Sequence, residues 1–170
     1  MFQYAAARRL TVLNEAELLL DVSGFAKYKL RTYALGHLSI QARAATSLEI
    51  TRMTGRGSFF NQILAKAAFW NNRSSSRLET ITQQVLQYDP SLIDKRGSMY
   101  LDGYWQSPRY FQDISKQIKT EFQIATPPSP ENQSMGSQIS GCNSVSVHVR
   151  RGDYVSNLKT SGIHGTCSAR

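Results

Sequence analysis

Residues 145–154 hold the side chains best suited to chemistry in this sequence. A run in which Val145, Val147 and Val149 alternate with Ser146, His148 and Arg150 leads into Arg151, Gly152 and Asp153. Two adjacent guanidinium groups present rigid, forked donors that match phosphate oxygens in a way an ammonium cannot. In open α/β sheets ligands bind just outside the carboxyl ends of strands, where these arginines would fall. Gly152 permits a tight turn and a close approach of backbone to ligand. Taken alone, the same residues also fit a solvated surface arginine pair, and His148 also fits a structural histidine that orients the loop; both readings stay open at this point. Tyr104-Trp105-Gln106 is a second place of interest, because aromatic faces suit sugar stacking. A strand leading into a capped helix explains the same residues as core, and that reading is preferred.

These residues need elements to position them. Residues 1–14 read as a helix with apolar positions at Phe2, Leu10 and Leu13, and no capping residue stands in front of it, so the chain is expected to start within an element. Residues 18–22, closed by Ser23-Gly24, read as a short buried strand, and residues 31–35 as a weaker one. Residues 40–53 are loosely helical. Helical spacing recurs at Phe60, Ile63, Leu64, Ala67 and Ala68, and again at Leu78, Ile81, Val85 and Tyr88, where Asp89-Pro90 should end the helix. Residues 99–105 read as a strand. Ser107 and Pro108 then open a helix whose stripe is Tyr110, Phe111, Ile114, Ile118 and Phe122. Residues 126–143, rich in Pro, Ser, Asn, Gln and Gly, read as a loop or linker. The alternation over residues 144–150 predicts a final strand. Strands interleaved with helices imply an α/β protein with a mostly parallel sheet.

Composition narrows the class. Of the 170 residues, 41% are hydrophobic and 19% charged, which is too apolar for a disordered chain and ordinary for a folded one. No apolar run approaches the ~20 residues of a membrane-spanning helix, and the first residues, with Arg8 and Arg9 inside an amphipathic pattern, do not read as a signal peptide. The net charge of +8 is compatible with nucleic acid, an anionic membrane surface or phosphorylated small molecules. The basic residues are scattered and form no nucleic-acid motif, which sets a non-catalytic anion- or nucleic-acid-binding module behind an enzyme. Cys142 and Cys167 have no metal-ligand spacing; two free thiols in a reducing cytoplasm are preferred to a disulfide between them.

Three strings, in order, resemble one family. Val147-His148-Val149-Arg150-Arg151-Gly152-Asp153-Tyr154 is similar to the first signature of the bacterial α-1,2-fucosyltransferases, glycosyltransferase family eleven. Met1-Phe2-Gln3-Tyr4-Ala5-Ala6-Ala7 resembles the tail of that family's opening motif, in which a Gly-Asn-Gln turn comes first. Tyr100-Leu101-Asp102-Gly103-Tyr104-Trp105-Gln106-Ser107, with Tyr110-Phe111, resembles its central segment. His164-Gly165 fit the loop that family members carry after the arginine motif.

The resemblance implies a Rossmann-like parallel sheet with flanking helices, the N-terminal part of a GT-B glycosyltransferase. Residues 1–125 would be an acceptor-side domain lacking its first strand, 126–143 a linker, and 144–170 the start of a truncated GDP-fucose-binding domain. The implied reaction moves L-fucose from GDP-fucose to the 2-hydroxyl of a galactose-type acceptor with inversion, without a metal or other cofactor. Arg150 and Arg151 would hold the pyrophosphate and stabilise the departing GDP, while His148 and Asp153 would position that loop at the donor. The general base that the acceptor hydroxyl needs is left unassigned. A cytoplasmic place, with peripheral association at the inner face of a bacterial membrane, goes with this reading, and nucleic acid is not an expected partner. The chain by itself is expected to be inactive. Another fucosyltransferase of the wider superfamily, acting in α-1,6 transfer or on protein hydroxyls, is the alternative within enzymes.

Overall fold

The architecture is that of a computed structural model, which describes residues 1–27, 32–55 and 79–149. Helix α1, Phe2–Asn14, contains neither Gly nor Pro and begins without a capping side chain from Met1. It ends where Glu15 turns into the left-handed region at φ 50°, its N–H reaching the carbonyls of Thr11 and Val12. Tyr4, Ala5, Ala6 and Leu10 are buried. Ala6 and Leu10 join Leu92, Trp105 and Tyr110 in one apolar cluster. Tyr4 and Ala5 join Leu18 and Ile118 in a second. Phe111 packs against both.

Among the described residues, four short strands follow in two parallel pairs. Strand β1, Leu19–Leu20, pairs with β2, Arg43–Ala44, in the register Leu19↔Arg43. Strand β3, Glu79–Thr82, pairs with β4, Met99–Asp102, in the register Glu79↔Met99 through Thr82↔Asp102. Helix α2, Ser47–Thr54, starts with a capping box: Thr46 Oγ1 accepts from the Glu49 N–H at 3.3 Å, and the Glu49 carboxylate accepts from the Thr46 N–H at 2.8 Å. Gly55, at φ 67°, closes it. The described chain is thus mixed α/β with parallel pairing.

Several expectations are corrected. Residues 79–82, expected within a helix, form β3, because Thr80, Ile81 and Thr82 are stiff β-branched residues and tertiary pairing with β4 overrides the helical spacing. The single helix expected after Ser107 is two pieces. Ser107 does cap, accepting from the Arg109 N–H at 3.4 Å, but the turn Pro108–Tyr110 is 3-10. Burial of the Tyr110 ring and a φ of −141° at Phe111 interrupt it before α3, Ser115–Glu121. Residues 40–53 divide into β2 and α2. Of the weak strand at 31–35, residues 32–34 are irregular and Leu35–His37 is a 3-10 turn. The helix expected from Phe60 to Ala68 lies outside the described residues.

The chain divides into two compact units, Met1–Thr126 and Pro127–Arg170. In the second, the stretch expected to be loop holds helix α4, Pro130–Ser140, opened by Ser129 accepting from the Asn132 N–H at 3.3 Å with Pro130 at the first turn. None of its residues is buried. The strand expected at 144–150 does not form over 144–149: Val145 and Val147 are 88% and 80% exposed. Alternation makes a strand only where a neighbouring strand takes up its backbone groups, and the described part of this unit supplies none. Cys142 is exposed and in no disulfide; Cys167 lies outside the described residues.

A polar network fastens α1 to α3 inside the second cluster. Glu121, 5% exposed, accepts from Tyr4 Oη, from Arg8 Nε at 3.0 Å and from Gln117 Nε2 at 2.9 Å. Burial works to raise the Glu121 pKa, but those three donors outweigh it and hold the carboxyl below its ordinary value of 4.5. Burial first, and then the bond to Glu121, push the Tyr4 phenol up to about 12. Truncation by Glu121→Ala leaves three donors without their acceptor and should lower the unfolding free energy by about 2–3 kcal/mol in denaturant titration. Because the folded pKa is depressed, this carboxylate stabilises the fold above its unfolded pKa and ceases to as pH falls through the folded value. The gap between wild type and variant should therefore narrow as pH falls below the ordinary glutamate range.

Candidate functional site

In the first unit, the residues just beyond the strands' carboxyl ends gather polar and aromatic groups. After β1, the Asp21 carboxylate accepts from the Ser23 N–H at 2.9 Å and from Tyr100 Oη at 2.9 Å. Burial tends to raise the pKa of Asp21, and the bonds from Ser23 and Tyr100 lower it by more. This acid stays ionised and is committed to structure. After β4, the chain makes the turn Gly103-Tyr104-Trp105, the most constrained backbone described.

That turn is built by Gln83, the residue following β3. Gln83 Oε1 accepts from the N–H groups of Tyr104 at 2.8 Å and Trp105 at 3.1 Å. A Cβ on Gly103 would lie 2.5 Å from the Gln83 Cβ, so only glycine fits. Trp105 adopts φ 51°, a left-handed conformation that costs a non-glycine residue about 1–3 kcal/mol and persists only where its surroundings enforce it. Gln3 Nε2 donates to the Gly103 carbonyl at 2.7 Å, so the start of α1 also meets this turn. The outcome splits the aromatic pair. Trp105 is 2% exposed and stacks edge-on against Tyr110, with ring centroids 5.8 Å apart, whereas Tyr104 is 63% exposed. Beside them, Gln83 Nε2 and Trp105 Nε1 are buried donors without a partner among the described residues.

A cavity of about 470 Å³ lies elsewhere, within the layer of strands. Leu18, Leu19 and Asp21 line one side, Ser98 to Leu101 the other; Ala7, Leu10, Thr11 and Asn14 of α1 and Glu49, Ile50 and Met53 of α2 complete its walls. Its position inside the layer, rather than past the strand ends, separates it from the turn.

Of the four residues expected to bind the donor, His148 is exposed in the irregular stretch of the second unit. Arg150, Arg151 and Asp153 lie outside the described residues, so the described structure does not bring the four together. Sequence reasoning passed over Gln83, which it had placed in a helix. The Asp102-Gly103 turn signal was available; the left-handed Trp105 had none. No group of three or more His, Cys, Asp or Glu side chains that could hold a metal occurs among the described residues.

The parallel strand pairs and helices of the first unit are consistent with a glycosyltransferase fold. Residues 37–170 match the family model of glycosyl transferase family 11. Over 174 aligned positions the chain is 30% identical to the alpha-1,2-colitosyltransferase of Escherichia coli, a match covering all of this chain and 56% of that relative. This chain therefore belongs to glycosyltransferase family 11. It spans about half the length of the curated relative it matches. No solved structure matches it significantly.

The Gly103 contact gives a direct test. Gly103→Ala forces its new methyl into Gln83 and should destabilise the fold by about 1–3 kcal/mol, as overpacking does. Gly24→Ala, where nothing lies within 4 Å of the added Cβ, should change stability by no more than about 0.5 kcal/mol. Thermal unfolding of the two variants side by side reads the difference.

Proposed function

We propose that this chain is the acceptor-side part of an α-1,2-fucosyltransferase, together with the beginning of its donor-binding domain. The reaction moves L-fucose from GDP-fucose to the 2-hydroxyl of a galactose-type residue, with inversion and without a metal. Residues 1–125 form the acceptor domain of a GT-B arrangement, 126–143 the connection, and 144–170 the opening of the donor domain. The observation that carries this reading is the family match over residues 37–170, which runs through the arginine motif. The relative's name supports it further, because α-1,2 transfer of colitose is the same kind of linkage.

Chemistry assigns the parts. Breaking the bond between fucose and GDP leaves a diphosphate whose growing negative charge needs a counterpart fixed in place beforehand. The guanidinium groups of Arg150 and Arg151 supply it. His148 and Asp153 hold the loop that carries them. On the acceptor side, the exposed ring of Tyr104 offers a flat face to the apolar side of a sugar. The turn that holds Tyr104 is already fixed by Gln83, so binding costs little additional ordering. Among the described residues no helix is long and apolar enough to cross a membrane. We place the enzyme in the cytoplasm, at the inner face of the membrane, where nucleotide sugars and growing glycans meet.

The 170-residue chain alone should show no turnover of GDP-fucose, since its relative uses nearly twice the covered length. In the complete transferase carrying this segment, Arg151→Lys should lower turnover about a hundredfold, the usual loss on removing one preorganised donor to developing negative charge. Radiolabelled donor assays read both, and activity in the variant within about twofold of wild type contradicts the role given to Arg151.

Tyr104→Ala in the same enzyme should raise the acceptor KM roughly tenfold while leaving the KM for GDP-fucose and the melting temperature unchanged. An unaltered acceptor KM removes Tyr104 from the acceptor site.

A further inference from the structure

The segments that leave the carboxyl ends of β3 and β4 meet in a ladder of rings. Trp105 contacts Tyr110 with centroids 5.8 Å apart, and Tyr110 contacts Tyr88 at 4.8 Å. The Arg109 guanidinium lies over the Tyr88 ring, 3.9 Å from its centroid. Tyr110 Oη accepts from the Asp89 N–H at 2.8 Å, which ties the two segments together. Arg109 follows Tyr104 on one of them, so the same ladder that holds Trp105 inward also fixes this cation. A guanidinium laid flat on a ring keeps its N–H donors pointing out along the edge of its plane. Among the described residues Arg109 forms no ion pair. Asp89, next to Tyr88, instead accepts from the Ser91 N–H at 2.9 Å.

Arg109 lines a cavity of about 550 Å³, a size usual for small-molecule sites, whose other walls are Arg9, Ile93, Gln112 and Asp113. The second cation there is already committed. Arg9 donates through Nε to Asp113 at 3.0 Å and through Nη1 to the Ile93 carbonyl, with its side chain 14% exposed. Arg9 and Asp113 cancel in charge, so the cavity offers one uncompensated positive charge, that of Arg109. A single forked cation matches a single planar anion, because a carboxylate takes two parallel N–H bonds. A phosphate dianion would bring a further negative charge towards Asp113. Gln112 adds an amide that can donate to and accept from hydroxyls, and Ile93 adds an apolar wall. Carboxylate, hydroxyls and an apolar ring face together describe an acidic sugar.

We infer that Arg109 is a specificity residue for such a sugar: it takes the carboxylate of a uronic-acid-type residue that neighbours the galactose-type residue of the acceptor glycan. The residue that receives fucose stays neutral and meets Tyr104, while its acidic neighbour lies against Arg109 and Gln112. This inference rests on the acceptor role proposed above for the first unit, but the carboxylate site can be measured without any transfer of sugar.

The first arm of the test is binding to the 170-residue chain. Methyl β-glucuronide, followed by NMR of arginine Nε–H and glutamine side-chain amides, should shift Arg109 and Gln112 and saturate with a Kd on the order of millimolar. Methyl β-glucoside, the same ring without the carboxylate, should bind about tenfold more weakly or worse. That comparison uses the unmodified chain, so it stands even where a variant folds poorly. Arg109→Gln, which keeps a planar amide over Tyr88 and removes the charge, should erase the advantage of the glucuronide. Arg109→Lys, which keeps the charge and loses the fork, should erase most of it. Asp113→Asn leaves Arg9 without its carboxylate and should let inorganic phosphate compete with the glucuronide, which it does poorly in the wild type.

The second arm gives the complete transferase two acceptors, one with a uronic acid beside galactose and one with a neutral hexose in its place. The acidic acceptor should have about tenfold higher kcat/KM in the wild type and no advantage in Arg109→Gln. Equal binding of glucuronide and glucoside, binding that Arg109→Gln leaves intact, or no preference between the acceptors would each overturn the inference. Glucuronide binding in a complete protein that transfers no fucose would count against the proposed transfer and for the carboxylate site.

Discussion

Helix α1 can approach everything around it because Ala5 and Ala6 carry almost no side chain where the packing is tightest; they are 0% and 1% exposed. On one flank Ala6 and Leu10 meet Leu92, Trp105 and Tyr110, and on the other Tyr4 and Ala5 meet Leu18 and Ile118. A larger residue at either alanine would push one cluster off the helix. The rest of the first unit depends on this close contact. It allows Gln3 to reach the Gly103 turn and Asn14 to reach Gly97, bonds that fix the helix end to end against β4. It also brings Arg8 and Tyr4 onto Glu121, so that a buried carboxylate stabilises the junction of α1 and α3 instead of disrupting it.

Backbone strain concentrates at the turn after β4. Its geometry is costly: a glycine with no room for a methyl group, a tryptophan at positive φ, and two backbone N–H groups sharing one amide oxygen. What the turn achieves is a division of labour between neighbouring aromatics. Trp105 is drawn into the first cluster, and by being held there it forces Tyr104 outward past the carboxyl end of the strand. An exposed aromatic on flexible backbone would lose ordering entropy on binding a sugar; one fixed by its neighbours has already lost it.

Two kinds of site thus occur in different parts of the chain. In the reading proposed above, the arginine motif would carry charge for a leaving group and the Tyr104 turn a surface for a neutral acceptor. A family 11 transferase needs both, because sugar transfer joins an anionic donor to an uncharged hydroxyl.

The amino-acid sequence by itself determined the elements whose signals are local. Phe2–Asn14 is helical because nothing within it breaks a helix, the Leu-rich run before Asp21 is extended, and Ser107-Pro108 caps a turn. The arginine motif and the family were legible for the same reason, since contiguous residues carry them. Tertiary structure decided what depends on partners far along the chain. Residues 79–82 became a strand because β4 was there to pair with, against their helical spacing, while residues 144–149 stayed irregular because alternation alone satisfies no backbone group. The exposure of Tyr104 needed Gln83, 21 residues away, to take hold of its N–H. Periodicity reports which face of an element is apolar; only three-dimensional contact determines which backbone groups find partners, and that selects between helix, strand and turn.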